Sequence, residues 1–225
     1  MQQQLRSVRS YEYPYNDLAN RLLRSGKKSF LIFSYGSLMN KKSAVQTLSP
    51  ASVATFRPAI ASGVKRVFDR DVPIKSESNL YVPNDPMARG MLNVQLSPKD
   101  FINGILYDVQ VEDFANLMKR EEGYDLIPVV VIAFEDWKTG KEDSYTIAYT
   151  FHAKQSGPYT NSEVLPRPVY YELVRDAAKE LGPEFAQIWF ATTYMGDGIT
   201  PIETWERALQ MGIPFTKSKS SQSSD

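Results

Sequence analysis

The stretch FLIFSYGSLMN, residues 30–40, combines a short apolar run with a tight turn. Four consecutive apolar residues, 30–33, are typical of a short buried strand. The strand is expected to stop at Tyr35-Gly36-Ser37, because glycine and serine favour a turn there. Glycine lets the backbone approach a ligand closely, and successive N–H groups in such a turn can converge on a carboxylate. Residues 34–40 therefore form a candidate anion-binding loop, and a plain tight turn is the alternative interpretation.

Helices and strands alternate along the rest of the chain. Leu18, Leu22 and Leu23 lie on one face at helical spacing and predict a helix over residues 16–24, with Asn16 or Asp17 as its N-cap. The remaining patterns predict a helix over 40–48, extended chain over 52–68, a long loop over 69–88, strands over 91–96 and 102–109 joined by a turn at 97–100, a helix from Val111 that stops at Gly123, strands over 126–135 and 144–151, and helices over 168–181, 183–193 and 202–211.

This order of elements predicts an α+β fold, with a mixed sheet surrounded by helices and closed by a helical C-terminal extension. A length of 225 residues suits one domain with a modest addition. We predict that its parts are a lead helix and arm, the main domain, a helical extension of that domain and a disordered tail, over residues 1–28, 29–182, 183–215 and 216–225. The tail is mostly Ser and Lys, which cannot bury enough apolar surface to fold.

Composition excludes several classes of function. Lys plus Arg equals Asp plus Glu at 26 each, without a dense basic run, so nucleic acid is not an expected partner. The absence of cysteine excludes disulfides, thiolate chemistry and sulfur-ligated metals, and it favours a cytoplasmic location. No segment approaches the ~20 apolar residues that span a bilayer, and residues 1–6 lack the apolar core of a signal peptide. We therefore expect no membrane partner.

The sequence offers little support for a metal or a cofactor. His152 is the only histidine, so a multi-histidine metal site cannot form, and no loop has the carboxylate spacing of a calcium or magnesium site. A Ser-His-acid triad would need His152, but the chain has no Gly-x-Ser-x-Gly elbow. It also has neither a P-loop nor a Gly-x-Gly-x-x-Gly fingerprint. What remains is chemistry that needs one acid or base and a backbone anion site.

Glu121 and Glu122 are the candidates for that acid or base. They follow the predicted helix that begins near Val111, where the negative end of the helix dipole disfavours a carboxylate. Such a position raises a carboxyl pKa, which suits a base that accepts a proton from an ammonium group. The alternative is that both are solvated glutamates at a frayed helix end.

Two motifs, in this order, resemble the γ-glutamylcyclotransferase-like family, whose branches include ChaC-type glutathione-degrading enzymes, γ-glutamylamine cyclotransferases and plant AIG2-like proteins. FSYGSLMN, residues 33–40, is similar to the family's aromatic-x-Tyr-Gly-Ser-Leu loop after the first strand. NGILY, residues 103–107, resembles its Gly-hydrophobic-hydrophobic-Tyr strand, and a helix ending in LMKREEGY, residues 117–124, follows. LPRPVY, residues 165–170, is a weaker match to the family's entry to its C-terminal helix.

The resemblance implies a mixed, barrel-like sheet and a cofactor-independent reaction on a small γ-glutamyl substrate. The substrate's own α-amine attacks its γ-carbonyl and closes the ring of 5-oxoproline, so that an amine or amino acid leaves. In the family the catalytic glutamate lies four residues after a helix leucine, and counting from Leu117 gives Glu121, with Glu122 as its close competitor. The residues that the resemblance assigns to substrate binding are Tyr35, Gly36, Ser37, Leu38 and Tyr170.

Three questions stay open at the level of sequence. Met39-Asn40 departs from the ChaC pattern, and residues 183–211 extend beyond smaller members of the family, so the leaving amine is not identified. The same fold could bind a small carboxylate without turnover, and Glu121 is the residue that separates this alternative from an enzyme. The 13 Tyr and 11 Phe leave an interaction protein as a third hypothesis, and the oligomeric state is undetermined.

Overall fold

A computed structural model describes residues 15–72, 85–154, 158–212 and 215. The strands are β1 (Ser29–Ser34), β2 (Arg57–Asp71), β3 (Gly90–Gln110), β4 (Tyr124–Ala133), β5 (Thr146–Ala153) and β6 (Thr193–Met195). The α-helices are α1 (Tyr15–Arg24), α2 (Lys41–Ala44), α3 (Pro50–Val53), α4 (Val111–Arg120), α5 (Phe134–Lys138), α6 (Pro168–Glu180), α7 (Pro183–Ala191) and α8 (Ile202–Gln210). Two single turns of 3₁₀ helix lie at Ser37–Met39 and Glu142–Ser144. The predicted tail, residues 216–225, lies outside the described residues.

Five strands close a mixed barrel in the order β1-β5-β4-β2-β3, because β3 pairs with both β2 and β1. Strand β1 runs antiparallel to β3, with Ser34 opposite Ile105, and it runs parallel to β5. Buried apolar residues of these strands fill the interior. The predicted α+β fold with a barrel-like mixed sheet and surrounding helices is confirmed.

Strand β2 shares one of its edges between two partners. Residues 59–62 pair antiparallel with β4, and residues 66–68 pair in parallel with β6. The C-terminal extension therefore contributes a strand to the sheet. The sequence-based prediction of only helices after residue 168 missed β6, since three residues, 193–195, are too few to show a period of two.

Aromatic side chains attach the C-terminal helices to the barrel. The ring of Tyr171 on α6 lies 4.9 Å from that of Trp205 on α8 and 6.2 Å from that of Trp189 on α7, measured between ring centres. Arg66 on β2 is fully buried beneath these helices and donates to Thr193 Oγ1 at 3.1 Å. Large buried aromatics contribute more apolar area than other side chains, so α6 to α8 are part of the core.

Several predicted boundaries need correction. The chain does not turn at residues 97–100: they lie inside β3, opposite the single residue Gly63, and form a bulge in the pairing with β2. The predicted loop over 69–88 begins too early, because β2 continues to Asp71, and residues 73–84 lie outside the described part of the chain. The predicted 40–48 helix shortens to α2.

Two further differences concern helices. Helix α5 begins within residues that the patterns assigned to the end of the 126–135 strand. Helix α1 begins at Tyr15, so Asn16 and Asp17 lie within it and neither is its N-cap. No helix in the described ranges is long and apolar enough to cross a bilayer.

Candidate active site

A cavity of about 300 Å³ lies between the loop that follows β1 and the end of α4. The six residues that the sequence placed first for catalysis and substrate binding, from two distant stretches of chain and from α6, all line it. They are Tyr35, Gly36, Ser37, Leu38, Glu121 and Tyr170. Glu122, the predicted competitor of Glu121, also lines it. Lining residues that were not predicted include Arg70, Arg120, Tyr124 and Phe151.

Buried hydrogen bonds hold the loop after β1 in place. The Tyr35 hydroxyl donates to the carbonyl of Phe151 at 2.5 Å, and the Tyr107 hydroxyl donates to that of Leu38 at 2.7 Å. Within the loop the Met39 N–H donates to the Gly36 carbonyl at 2.9 Å, which closes the 3₁₀ turn. Both ends of the loop are therefore tied to the barrel, and its backbone is preorganised.

Gly36 is required by the close approach of Tyr170. A Cβ atom at position 36 would lie 2.8 Å from the Tyr170 hydroxyl oxygen, closer than side chains pack. Tyr170 is in the first turn of α6, where its ring lies edge-on to that of Phe68. Burial, followed by the nearby carboxylate of Glu121, raises the pKa of Tyr170. Its hydroxyl is therefore neutral at physiological pH and able to donate a hydrogen bond.

Glu121 is the C-cap residue of α4, and its N–H donates to the Leu117 carbonyl at 3.0 Å. Its side chain is 17% exposed, and the Arg120 Nε atom lies 3.6 Å from its Oε1 atom. Burial raises the pKa of Glu121 to about 7, although the positive charges of Arg120 and Arg70 oppose the increase. A carboxyl group with this pKa can exchange a proton near neutral pH.

Glu122 also lines the cavity, but it is exposed to solvent. Gly123, which follows, has a φ of 95° and turns the chain from α4 into β4. The two glutamates therefore differ in environment, and only Glu121 combines a buried carboxyl group with a position in the cavity wall.

Arg120 connects the end of α4 to the chain that follows the loop. Its Nη2 atom donates to Ser37 Oγ at 3.0 Å and to Ser43 Oγ at 2.7 Å, and its Nη1 atom donates to Thr47 Oγ1 at 2.7 Å and the Ser43 carbonyl at 2.9 Å. One guanidinium group thus joins Glu121 to the loop. Sequence reasoning missed Arg120, although it immediately precedes the predicted base.

Arg70 is the second cation of the cavity wall. It is 7% exposed, and its guanidinium carbon lies 5.2 Å from the ring centre of Tyr124 and 4.8 Å from that of Tyr159. Its Nη1 atom donates to the carbonyls of Asp71 at 2.8 Å and Tyr159 at 3.1 Å. Arg70 lies in a stretch predicted as loop, and no local pattern distinguishes it from a surface arginine.

His152 lies away from the cavity lining, with its Nδ1 atom 2.6 Å from the Val94 carbonyl oxygen. Across residues 15–72, 85–154 and 158–212, no three His, Asp or Glu side chains are grouped so that they could hold a metal ion. The carboxyl group of Glu121 and the guanidinium groups of Arg70 and Arg120, which line the cavity, suit proton transfer and the binding of a charged organic ligand.

Comparison with known proteins gives no match among protein-family models and none among curated proteins. Solved structures do match. A γ-glutamyl cyclotransferase has a TM-score of 0.54 at 20% identity, over 73% of this chain and 88% of that one. The uncharacterized protein loc79017 from Homo sapiens has a TM-score of 0.52 at 18% identity, over 87% of this chain and 95% of that one. YkqA from Bacillus subtilis has a TM-score of 0.52 at 19% identity, over 75% of this chain and 55% of that one. The chain therefore has the γ-glutamylcyclotransferase-like fold.

Proposed function

We propose that the protein is a γ-glutamylcyclotransferase, which cleaves a γ-glutamyl amide and releases 5-oxoproline with an amine or amino acid. One observation carries the proposal: Glu121, whose pKa burial raises to about 7, lines the same cavity as the Gly36 loop. The resemblance of residues 33–40 and 103–124 to the family's motifs supports it independently.

The reaction suits a site with one carboxyl group. A γ-glutamyl substrate carries its own nucleophile, so the attack of the α-nitrogen on the γ-carbonyl carbon is intramolecular and has a high effective molarity. The new C–N bond closes a five-membered ring, and the original amide C–N bond breaks. The protein has only to move protons and stabilise charge.

Glu121 would move the protons. As a carboxylate it accepts one from the α-ammonium group, which frees the lone pair for attack, and it passes that proton to the departing nitrogen. It then accepts the second proton, which the ring nitrogen loses as the amide C–N bond breaks, and gives it to the released amine. A pKa near 7 leaves both forms accessible at physiological pH. Arg120, at 3.6 Å, orients the carboxylate without forming a close ion pair that would hold it ionised.

The loop would stabilise the negative charges of the substrate. We assign the N–H groups of Gly36, Ser37 and Leu38 to the α-carboxylate and to the oxyanion that forms on the γ-carbonyl oxygen. The neutral Tyr170 hydroxyl adds a donor beside Gly36. Preorganised donors of this kind typically contribute about 3 kcal/mol each to transition-state stabilisation.

The proposal is tested by incubating the purified protein with glutathione, γ-glutamyl dipeptides and γ-glutamyl-ε-lysine and measuring 5-oxoproline. Glu121→Gln should abolish the product while the protein stays folded, and Glu122→Gln, the matched control, should retain it. The outcome that contradicts the proposed function is binding of these compounds without any 5-oxoproline, which would identify a carboxylate-binding module. Loss of activity in Glu122→Gln alone would move the base to Glu122.

A further inference from the structure

The two cations of the cavity wall are neutralised unequally. The Arg120 Nε atom lies 3.6 Å from the Glu121 carboxyl group, and both Nη atoms of Arg120 form hydrogen bonds to the loop and the chain that follows it. Within the described ranges, Arg70 has no carboxylate within 4 Å, and its buried Nε atom has no hydrogen-bond partner. Arg70 therefore brings to the cavity wall a positive charge that forms no direct ion pair within the described chain, although it is close enough to Glu121 to lower the pKa of that carboxyl group.

Burying a guanidinium group without an anion is unfavourable. The rings of Tyr124 and Tyr159 and two carbonyl groups offset part of this penalty. An anion in the cavity would offset more, because an ionised guanidinium–carboxylate hydrogen bond is about twice as strong as a neutral one.

The wall is shaped around this guanidinium group. A Cβ atom on Gly123 would collide with the Arg70 Nη2 atom, so a larger residue at position 123 would force the end of the Arg70 side chain to move. The Gly36 loop and Arg70 come from different walls, since β1 and β2 are not neighbours in the barrel. The cavity thus combines a backbone anion site and a buried cation that come from strands that do not pair with each other.

We propose that Arg70 binds a second carboxylate, the one carried by the amino acid that the reaction releases. This inference rests on the proposed function, in which the loop holds the glutamyl α-carboxylate. It selects γ-glutamyl amino acids as the substrate class, with the carboxylate on the carbon next to the amide nitrogen, and it disfavours γ-glutamyl derivatives of uncharged amines. Arg70 then determines specificity, and it affects proton transfer only through its charge, which lowers the pKa of Glu121.

Two ligands that differ only in this charge test the proposal: γ-glutamyl-alanine and γ-glutamyl-alaninamide. The unmodified protein should prefer the acid by about tenfold or more in kcat/KM, the loss typical of one charge-assisted hydrogen bond. Arg70→Gln should raise KM for the acid by about 10- to 100-fold, and any change in kcat that comes from the altered pKa of Glu121 should be the same for both ligands. For the amide, KM should stay within about twofold.

A matched control separates binding from folding. Arg89→Gln disturbs the same wall, because Arg89 pairs with Asp71 at 2.7 Å, but Arg89 does not line the cavity. It should change KM for both ligands equally or not at all. Arg70→Lys keeps the charge and should lose less affinity for the acid than Arg70→Gln. If Arg70→Gln does not fold, two measurements still test whether Arg70 binds the carboxylate. They are the preference of the unmodified protein for the acid over the amide and the affinity of Arg70→Lys for the acid.

Two results would overturn the proposal. An equal loss for both ligands in Arg70→Gln would place Arg70 on the shared glutamyl part, and no loss for either would make its role structural. Binding of the acid and the amide can also be measured by calorimetry in the Glu121→Gln protein. Because this variant should not turn the ligands over, the measurement tests the carboxylate site separately from catalysis. If no 5-oxoproline forms but Arg70→Gln weakens binding of the acid alone, the proposed reaction fails and the carboxylate site stands.

Discussion

The Tyr170 hydroxyl oxygen lies 2.8 Å from the place that a Cβ atom of residue 36 would occupy, so α6 and the loop after β1 approach as closely as glycine permits. We expect Gly36→Ala to displace the loop from Tyr170 and lower kcat/KM by at least about tenfold, because misplaced donors lose most of their effect. Steady-state kinetics with 5-oxoproline detection measures it.

A second substitution tests that reason. Tyr170→Phe removes the oxygen atom that the methyl group introduced by Gly36→Ala would strike. In the Tyr170→Phe background, Gly36→Ala should therefore cause a smaller additional loss than it does alone, as a double-mutant cycle would measure. Equal losses in both backgrounds would contradict a steric origin.

The pH dependence of the reaction should report the carboxyl group of Glu121. Because burial raises its pKa to about 7 and the ionised form accepts the proton, kcat/KM should rise with pH and level off above 7. Each pH unit below the pKa should lower kcat/KM about tenfold. Glu122→Gln should leave this profile unchanged, whereas a rise centred near pH 4.5 would contradict the assignment.

Stability should depend on the same proton, with the opposite sign. A carboxyl group whose pKa is higher in the folded protein stabilises the fold when protonated, and this stabilisation is lost as pH rises from about 4.5 to about 7. The shift corresponds to a free energy on the order of 3 kcal/mol. Glu121→Gln should remove this loss. The free energy of unfolding of the variant should therefore rise relative to that of the unmodified protein as pH increases over this range. Denaturant unfolding at about pH 4.5 and about pH 8 measures the difference.

Arg120 should matter through its geometry as well as its charge. Arg120→Lys keeps a cation near Glu121, but one ammonium group cannot reach Ser37, Ser43 and Thr47 together. We expect the free energy of unfolding to fall by about 1 to 3 kcal/mol and kcat/KM to fall with it.

The adjacent residue is the control for that prediction. Lys119 is exposed, so Lys119→Ala should change the free energy of unfolding by no more than about 0.5 kcal/mol. An Arg120→Lys protein with unmodified stability and kinetics would show that a single charge is enough.

The loop and the two glutamates could be recognised from sequence because each depends on local chemistry. A short apolar run followed by a turn at Gly36 indicates a strand and its end, and Gly123 indicates the end of a helix. Neither signal depends on the fold of the rest of the chain. The assignment of roles within the loop came from resemblance to a family. That these distant stretches line one cavity is a property of the closed barrel.

Features that depend on distant partners were missed. Strand β6 exists because residues 66–68 of β2 lack another neighbour on that edge, and residues 97–100 become a bulge because β2 pairs on both sides of them. Arg70 acquires its environment from Tyr124 and Tyr159, which lie 54 and 89 residues further along the chain. No local period records such contacts.

The pairing of Thr193–Met195 with residues 66–68 has a consequence for truncated forms of the protein. A chain that stopped before residue 193 would leave the amide and carbonyl groups beside Val67 and Phe68 open to solvent, next to apolar side chains. Exposed strand edges of this kind pair with strands of other molecules. The C-terminal segment thus protects this strand edge from self-association. Shortening the segment should cause aggregation before it causes loss of activity.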